Sequence, residues 1–150
     1  MNHKIYCETQ SFITWWLLSL LFVLISVEAL DSYNYYQEHG SWHFSVGIYI
    51  ILAVAVAIFL MRLHTIIDDE GIEITFIPFA YKKRWKWDEV DQSYIRTYGL
   101  MDYGGWGYRI SGEGKAYNTK GKHGVQLVLK NGSRIMIGTQ HPDKIKSFLK

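Results

Sequence analysis

The chain has 150 residues, 49% of them apolar and 20% charged, which leaves room for one modest domain plus an appendage and excludes a large two-domain enzyme. Sixteen Lys and Arg against fourteen Asp and Glu give a net charge of +2, too little to argue for nucleic acid, and a single cysteine, Cys7, excludes an internal disulfide framework and a cysteine-built zinc site. Split after Arg62, the first part holds two basic and four acidic residues and the rest fourteen basic and ten acidic, so the halves are different objects.

Residues 9–27 contain no charge over nineteen positions, and residues 44–61 none over eighteen. As helices rising 1.5 Å per residue these runs reach about 28 and 27 Å, close to the roughly 30 Å hydrocarbon core of a bilayer. Each carries eleven residues from Leu, Ile, Val and Phe, which favour insertion by about 5 kcal/mol in total. The expectation is a pair of membrane spans, about 9–29 and 43–62, joined by a short extracytoplasmic connector. Helices buried in a soluble core normally keep a polar stripe, and residues 17–25 are apolar all round. The connector, residues 28–43, holds Glu28, Asp31 and Glu38 and no Lys or Arg, whereas Lys4 precedes the first run and Arg62 follows the second. That asymmetry predicts a multi-pass protein of the cell (inner) membrane with both termini cytoplasmic. Trp15, Trp16, Tyr33, Tyr35, Tyr36 and Trp42 suit the polar boundary of a bilayer. A rival expectation is a cleaved signal, since Val27-Glu28-Ala29 has the small-residue spacing of a signal-peptidase site; Glu8 in the basic region and the length of the apolar run count against it.

After Arg62 the period shortens. Residues 72–76, 84–88 and 125–129 largely alternate apolar and polar, the signature of half-buried strands. Turns are predicted at Asp69-Glu70-Gly71 and at Asn131-Gly132, the latter suited to the positive φ angles of a tight hairpin. Residues 93–98 and 108–111 are further strands. Pro142 at a first helical position, Asp143 at the positive end, and Ile145, Phe148 and Leu149 on one face predict a short terminal helix packed on the sheet. The fold class expected is a membrane α-helical hairpin (residues 1–62) followed by a β-rich α+β domain (residues 63–150), its antiparallel sheet bent or closed into an open barrel by that helix.

Along this second part, Gly104-Gly105-Trp106-Gly107-Tyr108-Arg109, Ala116-Tyr117-Asn118, Gly124-Val125, Asn131-Gly132, Ile137-Gly138-Thr139-Gln140 and Pro142 occur in an order that resembles bacterial membrane proteins with a pleckstrin-homology-like domain after a helical hairpin. The resemblance implies a lipid-proximal or protein-binding module without catalysis. It departs from phosphoinositide-binding relatives at the first hairpin, where Asp68-Asp69-Glu70-Gly71 stands in place of basic residues and repels phosphate, so headgroup specificity is not carried over.

The candidate contact surface is Lys82, Lys83, Arg84 and Lys86, with Trp106 and Arg109. Basic residues near an anionic leaflet contribute attraction of about 1 kcal/mol each; the plainer role is a solvated strand face behind a core face of Trp85 and Trp87. The eight glycines among residues 99–124 invite a nucleotide loop, but Gly114-Lys115 is followed by Ala116 where a magnesium-binding hydroxyl is required. His39 and His43 beside Glu38 have chelating spacing only on a helix, and Gly40 between them argues against one. No cofactor, metal or catalytic group is expected. The partners expected are the bilayer, a membrane protein, and anionic headgroups, but not nucleic acid. Two alternatives stay open: an accessory subunit of a transporter, packing through the small residues Ser19, Ser26, Gly47, Ala53, Ala55 and Ala57, and a sensor or enzyme built on the glycine-rich segment with Trp106, Tyr108 and Arg109.

Overall fold

The computed structural model describes residues 5–99, 107–112 and 114–149, in which the chain forms an α+β fold with an apolar helix near the N-terminus and two β-sheets. The order is β1 (Tyr6–Ser11), α1 (Trp15–His39), α2 (Val46–Leu60), β2 (Arg62–Ile67), β3 (Gly71–Phe76), β4 (Ala80–Lys86), β5 (Val90–Thr97), β6 (Gly107–Ser111), β7 (Gly114–Asn118), β8 (His123–Leu129), β9 (Arg134–Thr139) and α3 (Pro142–Lys146). The chain divides into a helical unit, Phe12–Leu60, and a β unit made of Met1–Ser11 and Met61–Lys150.

Two expectations are corrected at the front of the chain. Residues 6–11, expected with the helices, form strand β1 of the β unit, because Tyr6, Glu8 and Gln10 alternate inward with exposed Cys7 and Thr9. The expected connector is mostly helix: α1 runs through Glu28, Asp31 and Glu38 to His39 and ends where Gly40 takes φ +67°, its N–H bonding to the Tyr36 carbonyl 2.8 Å away. A helix bonds its own backbone whatever the side-chain charge, so the charges mark the end of the apolar run without ending the helix. At about 37 Å, α1 is long and apolar enough to cross a membrane; α2, with fifteen residues, reaches about 22 Å.

The side chains of these two helices are largely exposed. Ser32 is the one buried residue of α1 and α2 has none, while Trp15 is 88%, Phe22 72% and Val46 74% exposed. Within the helical unit, the Ser45 hydroxyl donates to the Glu28 carboxylate, Tyr36 stacks on Trp42 at 4.8 Å, and Tyr35 lies 4.1 Å from His39 and 4.9 Å from His43. A side chain at Gly47 would meet that same carboxylate, which would have to shift to make room.

In the β unit, one sheet has the order β1-β2-β3-β4 and the other β5-β8-β9-β7-β6. Leu63, Thr65 and Ile67 of β2 and Ile72, Ile74 and Phe76 of β3 are buried, as their alternation requires, and the second sheet buries Tyr117, Leu127 and Ile137. The sheet expected to be antiparallel throughout contains a parallel pair, β7 with β9 from Lys115↔Ile135 to Tyr117↔Ile137, made possible because β8 returns the chain between them. Strands β1 and β7 carry no alternating apolar pattern of their own and form through pairing with β2 and with β6 and β9. Gln126, expected to face outward, is 1% exposed because β8 is an interior strand flanked by β5 and β9, with α3 packed on it. Ile145 of α3 is fully buried, and Phe148 meets the Tyr6 ring at 5.4 Å.

Strand β1 is fastened to the other sheet by polar groups. The Glu8 carboxylate, 7% exposed, accepts from the Tyr6 hydroxyl (2.8 Å), the Thr139 hydroxyl (2.7 Å) and the Gln140 N–H (2.7 Å). The Gln10 side chain donates to the Gly138 carbonyl (2.7 Å) and accepts from the Thr119 hydroxyl (3.0 Å). Burial, followed by the hydrogen bond to Glu8 and its charge, pushes the Tyr6 phenol up to about 12.

Candidate functional site

The basic cluster on β4 does not form one surface. Strand β4 carries a bulge: Ile74 pairs with Lys83 and Phe76 with Ala80, so Tyr81 and Lys82 together oppose Thr75. Lys82 adopts φ +44°, a left-handed conformation that costs a side-chain-bearing residue about 1 kcal/mol, and its ammonium lies 5.8 Å from the Tyr81 ring. Beyond the bulge the strand alternates again. Lys83 and Trp85 point toward Tyr117: the Lys83 ammonium donates to the Tyr117 hydroxyl (3.2 Å) and lies 5.8 Å from both rings. Burial, followed by the charge of Tyr108, raises the Tyr117 phenol above its usual value.

Arg84 points the other way and is committed to acids. Its guanidinium pairs with Asp68 (2.5 Å), Glu70 (3.3 Å) and Glu73 (3.8 Å). The Asp68 carboxylate also accepts from the backbone N–H groups of Glu70 and Gly71, both at 2.9 Å, closing the β2–β3 turn on itself. Burial alone raises the Asp68 carboxyl, but the Arg84 hydrogen bond and these two N–H donors outweigh it and hold it below the ordinary carboxylate range. Trp87, expected as a core residue beside Trp85, is half-buried and donates from its indole to the Asp68 carbonyl (2.8 Å). The acidic turn therefore neutralises Arg84 rather than facing a ligand alone. Lys86 is exposed; its backbone N–H meets the Glu89 carboxylate at 3.3 Å.

What the fold assembles is a cleft of about 620 Å³ between β4, the β6–β7 hairpin and the β8–β9 turn. Lys83, Lys115 and Arg134 line it, with Trp85, Ile110, Leu129 and Ile135 as its apolar wall, and no carboxylate among the described lining residues. Gly114 has φ +114°, and a side chain there would strike the Arg134 carbonyl, so the hairpin turn needs glycine to reach the start of β9. This cleft joins Lys83, from the predicted cluster, to two cations distant in sequence. Lys115 reaches the site through the parallel β7–β9 pairing, for which no local signal exists. Arg109 lies exposed on the edge strand β6 and does not line the cleft; Trp106 lies outside the described residues. The segment proposed for a nucleotide loop forms the β6–β7 hairpin instead of a strand, loop and helix.

Cations and an amphipathic wall together suit an anionic group carried on an apolar body. Comparison of the chain with protein-family models, with curated proteins and with solved structures finds no match.

Proposed function

We propose that the chain is a membrane-anchored, non-catalytic binding module: the helical unit crosses the inner membrane twice, and a pleckstrin-homology-like β unit at the cytoplasmic face recruits or stabilises a membrane-associated partner. The observation that carries this reading is the pairing of Ser11, the last residue of β1, with Arg62, the first of β2. The chain leaves the β unit and re-enters it on neighbouring strands, so a folded β unit keeps both ends of the intervening segment on the same side of any bilayer. An even number of crossings follows, two or none. With none, the apolar surfaces of α1 and α2 would lie in water. Phe44 and Met61 extend the apolar stretch around α2 toward bilayer thickness, and modest thinning covers the remainder.

The same pairing opposes cleavage after Ala29, which would strip from the sheet a strand holding the buried Glu8 and Gln10. The acids Glu28, Asp31 and Glu38 lie between the two apolar runs, and Arg62 follows the second, supporting a cytoplasmic β unit. Confinement raises the effective concentration of the cationic cleft toward membrane partners, so a weak contact suffices. The two sheets closed by α3, with the ordered residues from Gly107 to Pro142, support the pleckstrin-homology-like reading.

In a Cys7→Ser background, an impermeant maleimide added to intact cells should label Ser41→Cys, while Asn131→Cys should react only after permeabilisation. Labelling of both positions, or of neither before lysis, refutes the two-pass arrangement. Co-purification from gently solubilised membranes should recover a partner that Lys83→Glu with Lys115→Glu releases; a partner indifferent to both changes removes the cleft from the mechanism.

A further inference from the structure

We propose that the β3–β4 turn is a bilayer-docking element that inserts Ile77, Phe79 and Tyr81 into the interfacial layer of the membrane holding the helical unit. The inference rests on the membrane reading above and adds a second contact between the β unit and lipid. Three observations support it. The first is exposure: Ile77 is 52%, Phe79 44% and Tyr81 73% exposed, consecutive odd positions on one turn, in a unit whose other apolar strand residues are mostly buried.

The second is position. Strand β2 starts at Arg62, and Leu63 pairs with Phe76 at the end of β3. Extending that register by one residue sets Ile77 beside Arg62, one inter-strand spacing of about 4.8 Å away. Arg62 in turn pairs with Ser11. The apolar turn therefore occupies the sheet end at which the chain passes into and out of the helical unit. The acidic turn, Asp68-Asp69-Glu70, occupies the opposite end, beyond Ile67↔Ile72. Along the sheet, the exposed apolar turn with Arg62 and Lys82 lies at the end where the chain joins the helical unit, and the acidic turn, with Arg84 and Lys86 paired beside it, lies at the other. An anionic leaflet attracts the first and repels the second.

The third is construction. The bulge turns both Tyr81 and Lys82 outward at the base of the turn, placing an aromatic ring and an ammonium side by side, a pairing suited to the headgroup boundary. Phe79 rests on Phe76 at 5.2 Å and on Tyr108 at 6.1 Å, which fixes its place in the turn and leaves it half-exposed between the more open Ile77 and Tyr81. Residues 77–82 and the two junction positions, Ser11 and Arg62, include no acid.

The full chain, in a Cys7→Ser background, carries a polarity-sensitive fluorophore at Ile77→Cys, Tyr81→Cys or, as a reference, Asp69→Cys, and is reconstituted in vesicles of phosphatidylcholine with phosphatidylglycerol. Flotation is scored first; a chain that does not float with lipid defeats both the membrane reading and this one. For floating protein, lipids with a spin label high on the acyl chain should quench the fluorophore at 77 and at 81 at least about twofold more than at 69. Equal quenching at all three positions, or quenching only by headgroup-borne spin labels, overturns the docking element and leaves the membrane reading intact. Shielding at 77 that grows with protein density in the vesicle assigns the turn to a second copy and likewise overturns it.

Discussion

Replacing Glu8 by Ala tests the structural premise beneath the membrane reading, namely that β1 is a firm part of the β unit. Glu8 is 7% exposed and accepts three hydrogen bonds of 2.7–2.8 Å. Alanine leaves the Tyr6 and Thr139 hydroxyls and the Gln140 N–H without that acceptor. Each stranded buried donor costs about 1–3 kcal/mol, and water can reach only part of this site, since Thr139 is 1% exposed while Gln140 is at the surface. A loss of about 3 kcal/mol follows, concentrated on the attachment of β1 to β9. At about 1.4 kcal/mol per tenfold, local opening becomes roughly a hundredfold more frequent. Hydrogen exchange of the β1 amides in detergent-solubilised protein reads that change directly, because exposed segments exchange through such openings. Glu8→Gln keeps one acceptor oxygen and should fall between. Glu70→Ala, which removes a largely exposed carboxylate from Arg84, should leave β1 exchange unchanged. Were β1 in Glu8→Ala to exchange as slowly as in the unmodified chain, the carboxylate would not be what fastens it, and the same-side constraint on the helical unit would lose its anchor.

Other outcomes follow from the same geometry. Asp68 has its carboxyl held below the usual value of 3.8, so its contribution is present above that value and is lost as pH falls through the lower folded value; Asp68→Asn should flatten this acid limb in a thermal-unfolding series. Tyr6 works in the opposite direction: its phenol, raised from 10.0 to about 12, contributes stability below pH 10 that disappears as pH climbs through about 12, and Tyr6→Phe should remove that alkaline loss. Gly114→Ala should destabilise the β6–β7 hairpin by about 2 kcal/mol or more, through both its positive φ and the clash with the Arg134 carbonyl, measured as a fall in unfolding temperature. Leu127→Ala, in the fully buried core, should cost about 2–5 kcal/mol by the same measurement, whereas Leu129→Ala on the cleft wall should cost less.

Much of the architecture was legible locally. The apolar runs around α1 and α2, the alternating strands β2, β3 and β8, the Asn131-Gly132 turn and the terminal helix all follow from periodicity and turn chemistry, which act within a few residues. The basic cluster was visible too, yet composition alone does not tell which cations share a surface. The bulge at Tyr81 and Lys82 and the acids at Asp68, Glu70 and Glu73 divided it, assigning Lys83 to the cleft and Arg84 to an ion-pair network.

The amino-acid order determined that two greasy stretches precede a β-rich part, because burial preference and helical or strand period are properties of neighbouring residues. Only the tertiary structure decided that Tyr6–Ser11 belongs to the distant sheet, that β7 runs parallel to β9, and that Lys83, Lys115 and Arg134 line one cleft. Each of these depends on hydrogen-bonded pairing between segments tens of residues apart, for which Glu8 and Gln10, polar residues ahead of an apolar run, carry no local mark.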